Sequence, residues 1–365
     1  KNGNLCTVMT HTPQQAIESI NHEQIREKFL NADWPGACRK CRDAELIGGS
    51  SLRTLHLANK HWQGGAIEIL GLDLRLGNFC NARCVFCGPT NSTGWYADHV
   101  ALRGELHFFG DLRTKISLRP GTDGQLTHDS NALNWWRYSQ SWKNLQCADV
   151  GLLDITFSGG EPLLINEHLA FLEQLVTSNQ SSKINITYKT NLSILPVHAT
   201  AIWQRFKSVK FVASIDGIND AFSYLRYPLH WQDFLENISL LKQASQGAYI
   251  LEMGLTLGAV TLLEMASTCE WINNNWPGTN IVVNNVQFPQ ILQLGVLPKA
   301  VRARAAERIK LLPTRYSDKI LPYLMSSRSS PISVDQLKSF LDNLDKIRNT
   351  NWTCALPELS MALSL

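Results

Sequence analysis

The sequence predicts an α/β fold built on a parallel sheet or barrel, and three observations carry that prediction. From residue 67 onward, short runs that alternate apolar and polar residues take turns with longer stretches of helical period. A chain of 365 residues is long enough for one large domain plus a smaller one, or two domains. With 23 Gly, 14 Pro and 44% hydrophobic residues, collagen-like, disordered and miniprotein classes are excluded.

Taken in order, residues 1–62 read as a small helical unit. Thr12-Pro13-Gln14-Gln15 has the form of a capping box with Pro at the first helical position. Asn21-His22-Glu23-Gln24 repeats the start signal for a helix over Ile25–Leu30, and Trp34-Pro35-Gly36 stops it. The first strand is expected over Ile67–Leu76. Five more follow at Asp154–Ser158, Ile184–Thr190, Val209–Ser214, Tyr249–Leu257 and Ile281–Val286. Helices are expected at His168–Thr177, Ala199–Phe206, Trp231–Ala244, Leu263–Asn274 and Pro298–Leu311. A full eight-stranded barrel needs two strands more than this pattern supplies. Residues 105–150 interrupt the rhythm with Pro120-Gly121 and Asp123-Gly124 turns and with Trp135, Trp136 and Trp142. Two readings of this insertion stand: a binding loop or lid, or a surface excursion whose tryptophans pack against the sheet. The expected division is a helical region at 1–62, the sheet domain at 63–312 and a helical tail at 313–365.

Charge and hydropathy narrow the partners. A net charge of +3 is too weak to indicate nucleic acid. No apolar run approaches the roughly 20 residues of a membrane span. No signal-peptide pattern is visible, so a cytoplasmic location is expected, although the sequence begins at Lys1 rather than Met and is compatible with a preceding segment. Lys299, Arg302, Arg304, Arg308 and Lys310 share one helix with only Glu307 opposing. They are expected to form a solvated face, the alternative being attraction of an acidic peptide or phosphorylated substrate.

Nine cysteines, at 6, 38, 41, 80, 84, 87, 147, 269 and 354, are the most informative count. The chain is too long and too sparse in Cys for a disulfide-stapled domain. Five fall in two tight groups, Cys38-x-x-Cys41 and Cys80-x-x-x-Cys84-x-x-Cys87, while Cys269 and Cys354 are expected to be buried thiols. Three thiolates within eight residues can wrap one compact inorganic cluster and leave one metal position open. A zinc site completed by a distant His or Cys is the alternative on spacing alone. His56, His61, His99 and His107 flank the loop and are expected to be ordinary packed or exposed side chains.

Thr156-Phe157-Ser158-Gly159-Gly160-Glu161-Pro162 closes the second sheet strand. Its two glycines would let a ligand approach the backbone closely. Glu161 could take an ammonium group, and Pro162 stiffens the exit.

The Cys-x3-Cys-x2-Cys loop with Phe86 before its last cysteine, followed by Gly-Gly-Glu-Pro, resembles the radical S-adenosylmethionine (SAM) superfamily. That resemblance implies a partial (β/α)6 barrel of the radical SAM type, with a small helical, Cys-bearing N-terminal region. It implies that Cys80, Cys84 and Cys87 hold a [4Fe–4S] cluster whose fourth iron is chelated by SAM. One electron then splits SAM into methionine and a 5′-deoxyadenosyl radical that takes a substrate hydrogen. By position, Phe86 matches the residue beside the adenine, and Gly159, Gly160, Glu161 and Pro162 match the loop that holds the SAM amino group. Asn191 matches the Thr-Asn-Gly end of the third strand, where Leu192 replaces the Gly. Ser214 and Arg226 match positions at which Ser and Arg contact the SAM ribose and carboxylate, with Asp216 in the same segment as Ser214; a plain turn at Ser214 and Asp216 and a surface ion pair at Arg226 are the alternatives.

Cys38-Arg39-Lys40-Cys41 with Glu45, Gly48-Gly49 and Ser51-x-Arg53, together with Asn351-Trp352 and Ala355–Leu359, resembles the twitch (half-SPASM) branch of that superfamily. In that branch cysteines outside the barrel ligate an auxiliary iron–sulfur cluster. Cys38 and Cys41 supply two thiolates, Cys6 a third, and Cys147, a residue before Lys1 or a non-cysteine group the fourth, a zinc knuckle being the alternative. The resemblance implies an electron donor such as flavodoxin or ferredoxin. The expected reaction is oxidative modification or crosslinking of a peptide side chain. The alternatives are dehydrogenation, epimerisation or rearrangement of a sugar, nucleotide or other metabolite, and a non-catalytic metal-binding scaffold.

Overall fold

A computed structural model describes residues 6–46, 51, 53, 54, 69–109, 115–146, 151–245 and 248–364. All six expected sheet strands are present: β1 (Gly71–Leu76), β5 (Asp154–Gly159), β6 (Asn185–Thr190), β7 (Ser208–Ser214), β8 (Ile250–Leu257) and β9 (Asn280–Asn285). They form one sheet in the order β1-β5-β6-β7-β8-β9, with β5 through β9 paired parallel. Sequential order with helical crossovers is the topology of a partial barrel. The crossovers include Glu167–Thr177, Trp231–Ser245 and Met265–Asn275.

Strand alternation sorts the two faces. Phe157, Tyr188 and Phe211 stand in register across β5, β6 and β7. Their rings stack at centroid distances of 5.2 and 5.4 Å. Trp203 and His168, carried by the crossover helices, pack edge-on against Tyr188. This face is the core. The opposite face is polar: Asn185 donates to Asp154 at 3.0 Å, Lys210 pairs with Glu252 at 3.5 Å, and Asn280 donates to Glu252 at 2.9 Å.

Two compact units divide the chain, 1–72 with 137–153, and 73–136 with 154–365. In the first, the capping box at Thr12 opens the helix Pro13–Ile17 as expected. The second helix begins at Ile20, so Asn21–Gln24 lie inside it rather than ahead of it. The helix Ser139–Gln146 belongs to this unit, where Asn144 donates to the Val8 carbonyl at 2.8 Å.

In the second unit the insertion is more ordered than its polar composition suggests. β2 (His107–Phe109), β3 (Lys115–Pro120) and β4 (Leu126–His128) form a three-stranded antiparallel sheet. It is closed over Tyr96 of the helix Trp95–Arg103 by Phe108, Ile116 and Leu118. Trp135 donates to the Arg75 carbonyl at 2.8 Å and Trp136 lies 6.2 Å from Phe79, so both brace the exit of β1.

The basic helix, Lys299–Lys310, is not a uniform solvated face. Arg302 is buried and donates to Leu297 O, Ser327 O and Ser327 Oγ at 2.7–3.1 Å, while Arg308 pairs with Glu358 and Lys310 with Glu307. Arg302 is therefore a staple for the turn after the helix Thr314–Ser326. No helix among the described residues is long and apolar enough to cross a membrane.

The Tyr188 hydroxyl holds two buried groups, accepting from Trp203 Nε1 at 3.0 Å and meeting His168 Nε2 at 2.8 Å. Tyr188→Phe strands both, and a loss of about 1–3 kcal/mol in urea denaturation is expected. Burial pushes His168 down to about 4, so the fold holds it neutral. Its contribution is complete above the ordinary histidine range and is lost as pH falls toward 4. The urea midpoint of His168→Gln should therefore be less sensitive to acid over that window than that of the parent chain.

Candidate functional site

The loop of three cysteines begins where β1 ends. Gly77 turns the chain at a φ of +62°, and a Cβ there would lie 2.0 Å from the Leu133 carbonyl, so only glycine fits. Asn78, buried, donates to Pro89 O and Tyr96 Oη, both at 2.8 Å. Thr93 brackets Cys80, with its hydroxyl 3.3 Å from the Cys80 N–H and 3.2 Å from the Cys80 carbonyl. Further along, Arg83 N donates to Tyr227 O at 2.5 Å and Val85 N to Leu225 O at 2.8 Å. These bonds pin the loop to the end of the helix Asn219–Leu225.

The thiols converge. Cys84 is buried, and Cys80 and Cys87 are half-buried. The Cys84 and Cys87 thiols are hydrogen-bonded to each other, and Arg226 Nη1 stands 3.6 Å from Cys84 Sγ. Cys80 Sγ accepts from Ala82 N at 3.4 Å and from Asn191 Nδ2 at 3.7 Å. Burial and the neighbouring Cys84 push Cys80 up to about 12, and the Cys84 hydrogen bond with burial holds Cys87 well above the ordinary thiol range. Cys84 alone is drawn down, to about 7, by its bond from Cys87 and by the Arg226 guanidinium. Three sulfurs gathered in a partly to fully buried loop are poorly stabilised as thiolates without a further cation, which is the donor chemistry a cationic cluster satisfies. Among the described residues, no group of three or more His, Cys, Asp or Glu side chains is placed to hold one metal ion. A cubane has no such requirement, because each thiolate binds a different iron.

Gly159 and Gly160 do admit a close approach, but what approaches is this chain's own backbone. A Cβ on Gly160 would lie 2.2 Å from Phe79 O, and one on Gly159 2.8 Å from Gly77 O. Glu161 N donates to the same Phe79 carbonyl at 2.8 Å. The Glu161 carboxylate is fully buried and turned away from solvent. It accepts from Leu163 N at 3.0 Å, Thr190 Oγ1 at 2.6 Å and Asn191 N at 2.6 Å. Instead of standing open to an ammonium, it ties the end of β5 to the end of β6. Burial nonetheless raises it to about 7. Pro162, buried, opens the turn Pro162–Leu164 that Glu161 caps.

Asn191, held by Glu161, reaches both Cys80 Sγ and Asn81 Oδ1, the latter at 3.1 Å. Leu192 stands at a φ of +52°, which explains why a glycine suits this position; its fully buried side chain compensates. Ser214 ends β7 opposite Gly254. Asp216, also left-handed at +58° and fully buried, pairs with Arg226 Nη2 and accepts from Thr256 N. The Arg226 guanidinium lies 5.6 Å from the Phe86 ring centre, and its Nε is buried without a hydrogen-bond partner. A lone donor beside Cys84 and Phe86 fits an anionic group such as a carboxylate. The structure thus brings together Cys80, Cys84, Cys87, Phe86, Gly159, Gly160, Glu161, Pro162, Asn191, Asp216 and Arg226, most of them through direct bonds.

Sequence reasoning missed a second set around the loop. Asp98, with its side chain 1% exposed, takes Arg83 at 2.9 Å and Arg348 at 2.8 Å. Trp95 Nε1 donates to Cys84 O at 2.9 Å. A charged Arg83 inside a cysteine loop is the one available signal; nothing in the local pattern marks Arg348.

In the other unit, Cys38 ends the turn Gly36–Cys38 and Cys41 lies in the helix Arg39–Leu46. Glu45 there pairs with Arg53 and accepts from Ser51 Oγ at 2.5 Å. Cys6, Cys38 and Cys41 are half-buried free thiols. Cys147, His56 and His61 lie outside the described residues. His99 packs edge-on to Phe108 and His107 bonds Ser117, as ordinary side chains. Cys269 is buried, but Cys354 is exposed: it sits on the outer side of the short helix Trp352–Ala355, where Trp352 takes the buried position.

No protein-family model matches the chain, and no curated protein matches its sequence. Solved structures do match. Native anSMEcpe with bound AdoMet is 13% identical at a TM-score of 0.41, covering 72% of this chain and 64% of that one. Streptococcus suis SuiB bound to precursor peptide SuiA is 15% identical at 0.36, covering 93% and 64%. The radical S-adenosylmethionine methyltransferase TsrM from Kitasatospora setae, with cobalamin and a [4Fe–4S] cluster bound, is 11% identical at 0.36, covering 64% and 37%. The chain spans less than two thirds of each of these proteins. The likeness is one of backbone outline; the chemistry is read from the residues above.

Because Gly160 abuts the carbonyl of Phe79, directly before Cys80, Gly160→Ala should shift the loop. The expected result is a several-fold fall in iron bound after anaerobic reconstitution, read by metal analysis, rather than a change in nucleotide affinity alone.

Proposed function

We propose that this chain is a radical SAM enzyme. The observation that carries the reading is the convergence of Cys80, Cys84 and Cys87 in one pinned loop at the exit of β1, against the Gly159–Gly160 backbone at the exit of β5. These cysteines would hold a [4Fe–4S] cluster, and the donor set fits it. When bound, that cluster supplies the electron that cleaves SAM to methionine and a 5′-deoxyadenosyl radical. The chain's own part is to bind, orient and exclude water. Arg226 Nε offers a buried donor to the SAM carboxylate, Phe86 an aromatic face to the adenine, and Ser214 a hydroxyl at the end of β7. Asp216 keeps Arg226 charged and aimed, and Glu161 keeps Asn191 against Cys80.

The substrate reading is oxidative modification of a peptide side chain. SuiB is solved with a precursor peptide, and the polar, partly exposed face of the sheet suits a polar substrate. Cys38, at the end of the turn Gly36–Cys38, and Cys41, in the first turn of the helix that follows, would share an auxiliary iron–sulfur cluster with Cys6 as a third ligand. A flavodoxin or ferredoxin would supply the electron.

Anaerobic reconstitution tests the reading: iron and sulfide uptake, bleaching on reduction, and 5′-deoxyadenosine released from SAM. Cys84→Ala should abolish that release, and persistent turnover in this variant would refute the ligand assignment. Cys38→Ala with Cys41→Ala should lower iron per chain while leaving SAM cleavage measurable. An iron count that does not move excludes the auxiliary cluster.

A further inference from the structure

We propose that Arg348 is a positioning residue for the cysteine loop, carrying a buried positive charge from the last long helix to the segment that bears Cys84. The helix Val334–Arg348 opens on a capping box at Ser333 and ends at Arg348, whose side chain is 1% exposed. Its Nε donates to Asp98 Oδ2 at 2.8 Å, and Nη2 stands 2.8 Å from the same oxygen. The other Asp98 oxygen accepts from Arg83, the residue before Cys84, at 2.9 Å. The Arg348 guanidinium lies 4.8 Å from the Trp95 ring centre and 5.2 Å from that of Tyr227. Arg83 lies 4.8 Å from the Tyr227 ring as well. Each group that Arg348 touches holds a point of the loop: Asp98 holds the Arg83 side chain, Trp95 the Cys84 carbonyl, and Tyr227 the Arg83 amide.

The charges decide what this arrangement does beyond packing. Two guanidiniums face one carboxylate, so the group carries one net positive charge. Asp345, one turn back on the helix, is engaged by Thr350 Oγ1 and Trp352 N, each at 2.7 Å. Arg226 is already matched by Asp216. A surplus buried cation is costly unless an anion stands near. The Cys84 sulfur, which the Arg348 charge reaches, is that anion once it ligates a metal, and one-electron reduction of the cluster adds to the negative charge there. The Arg83–Asp98–Arg348 group therefore favours the reduced cluster.

This electrostatic part rests on the radical SAM reading; the holding of the loop does not. The test uses the full chain as parent, Arg348→Met, Asp98→Asn and the double variant. In reconstituted protein, reduced with dithionite and followed by electron paramagnetic resonance, the midpoint potential should follow net charge: Asp98→Asn highest, parent and double variant close together, Arg348→Met lowest. A purely structural role makes the double variant the most perturbed, so that order, or four equal potentials, overturns the electrostatic assignment. Before iron is added, hydrogen exchange at the Arg83 and Val85 amides should be at least about tenfold faster in Arg348→Met. Unchanged exchange overturns the holding role. A parent chain that takes up no iron defeats the functional reading and the electrostatic part together, while the exchange measurement still decides the rest.

Discussion

The close approach of two strand exits is the constraint on which the rest of the site depends. Phe79 leaves β1 with its carbonyl against the Gly160 backbone and bonded to Glu161 N. That contact exists only because no Cβ stands at Gly160. It fixes Cys80 relative to β5, while Glu161, turned inward by the same bend, fixes β6 through Thr190 and the Asn191 amide. Asn191 then returns to Cys80 Sγ. The circuit closes on itself, so the position of the first thiol is set by three strand ends at once.

A second circuit sets the other end of the loop, and it is built from charge rather than close packing. Asp216 with Arg226, and Asp98 with Arg348, are almost wholly removed from water, and Arg83 completes the second group from a partly exposed position. Buried ion pairs of this kind add little to stability over an apolar replacement. Their presence here is better understood through what they aim. Arg226 points one nitrogen at Cys84 and leaves another free, whereas Arg348 and Arg83 both lie against the Tyr227 ring. An apolar core of equal volume would hold the loop but would not stabilise sulfur anions.

Much of this was legible in the sequence. All six sheet strands could be read because one face of each is apolar and the other polar, and that alternation survives without any tertiary information. The cysteine loop and the Gly-Gly-Glu-Pro turn were legible because each is local. What escaped depends on partners distant in sequence. β2 and β4 are three residues each and give no alternating signal; β3 does alternate, with Ile116 and Leu118 inward, but it stands among polar turns and its core partner Tyr96 comes from a preceding helix. Arg302 looks like a surface cation until the Ser327 turn folds over it. Cys354 reads as buried because free cysteines usually are, but Trp352 occupies the inner position of that helix. Arg348 lies 250 residues from Asp98, and no local pattern connects them.

The two glycines show how a correct motif can carry a different mechanism. Sequence reasoning made them the place where a ligand nears the backbone. The structure sets Phe79 against the Gly160 backbone, so what the glycines visibly do is let the cysteine loop form. The same holds for Glu161, whose three accepted bonds make it an organiser of Asn191. A residue type at a motif position thus constrains geometry before it constrains chemistry. Donors that remain unspent after the fold has taken its share, such as Arg226 Nε, are the better guide to what the site binds.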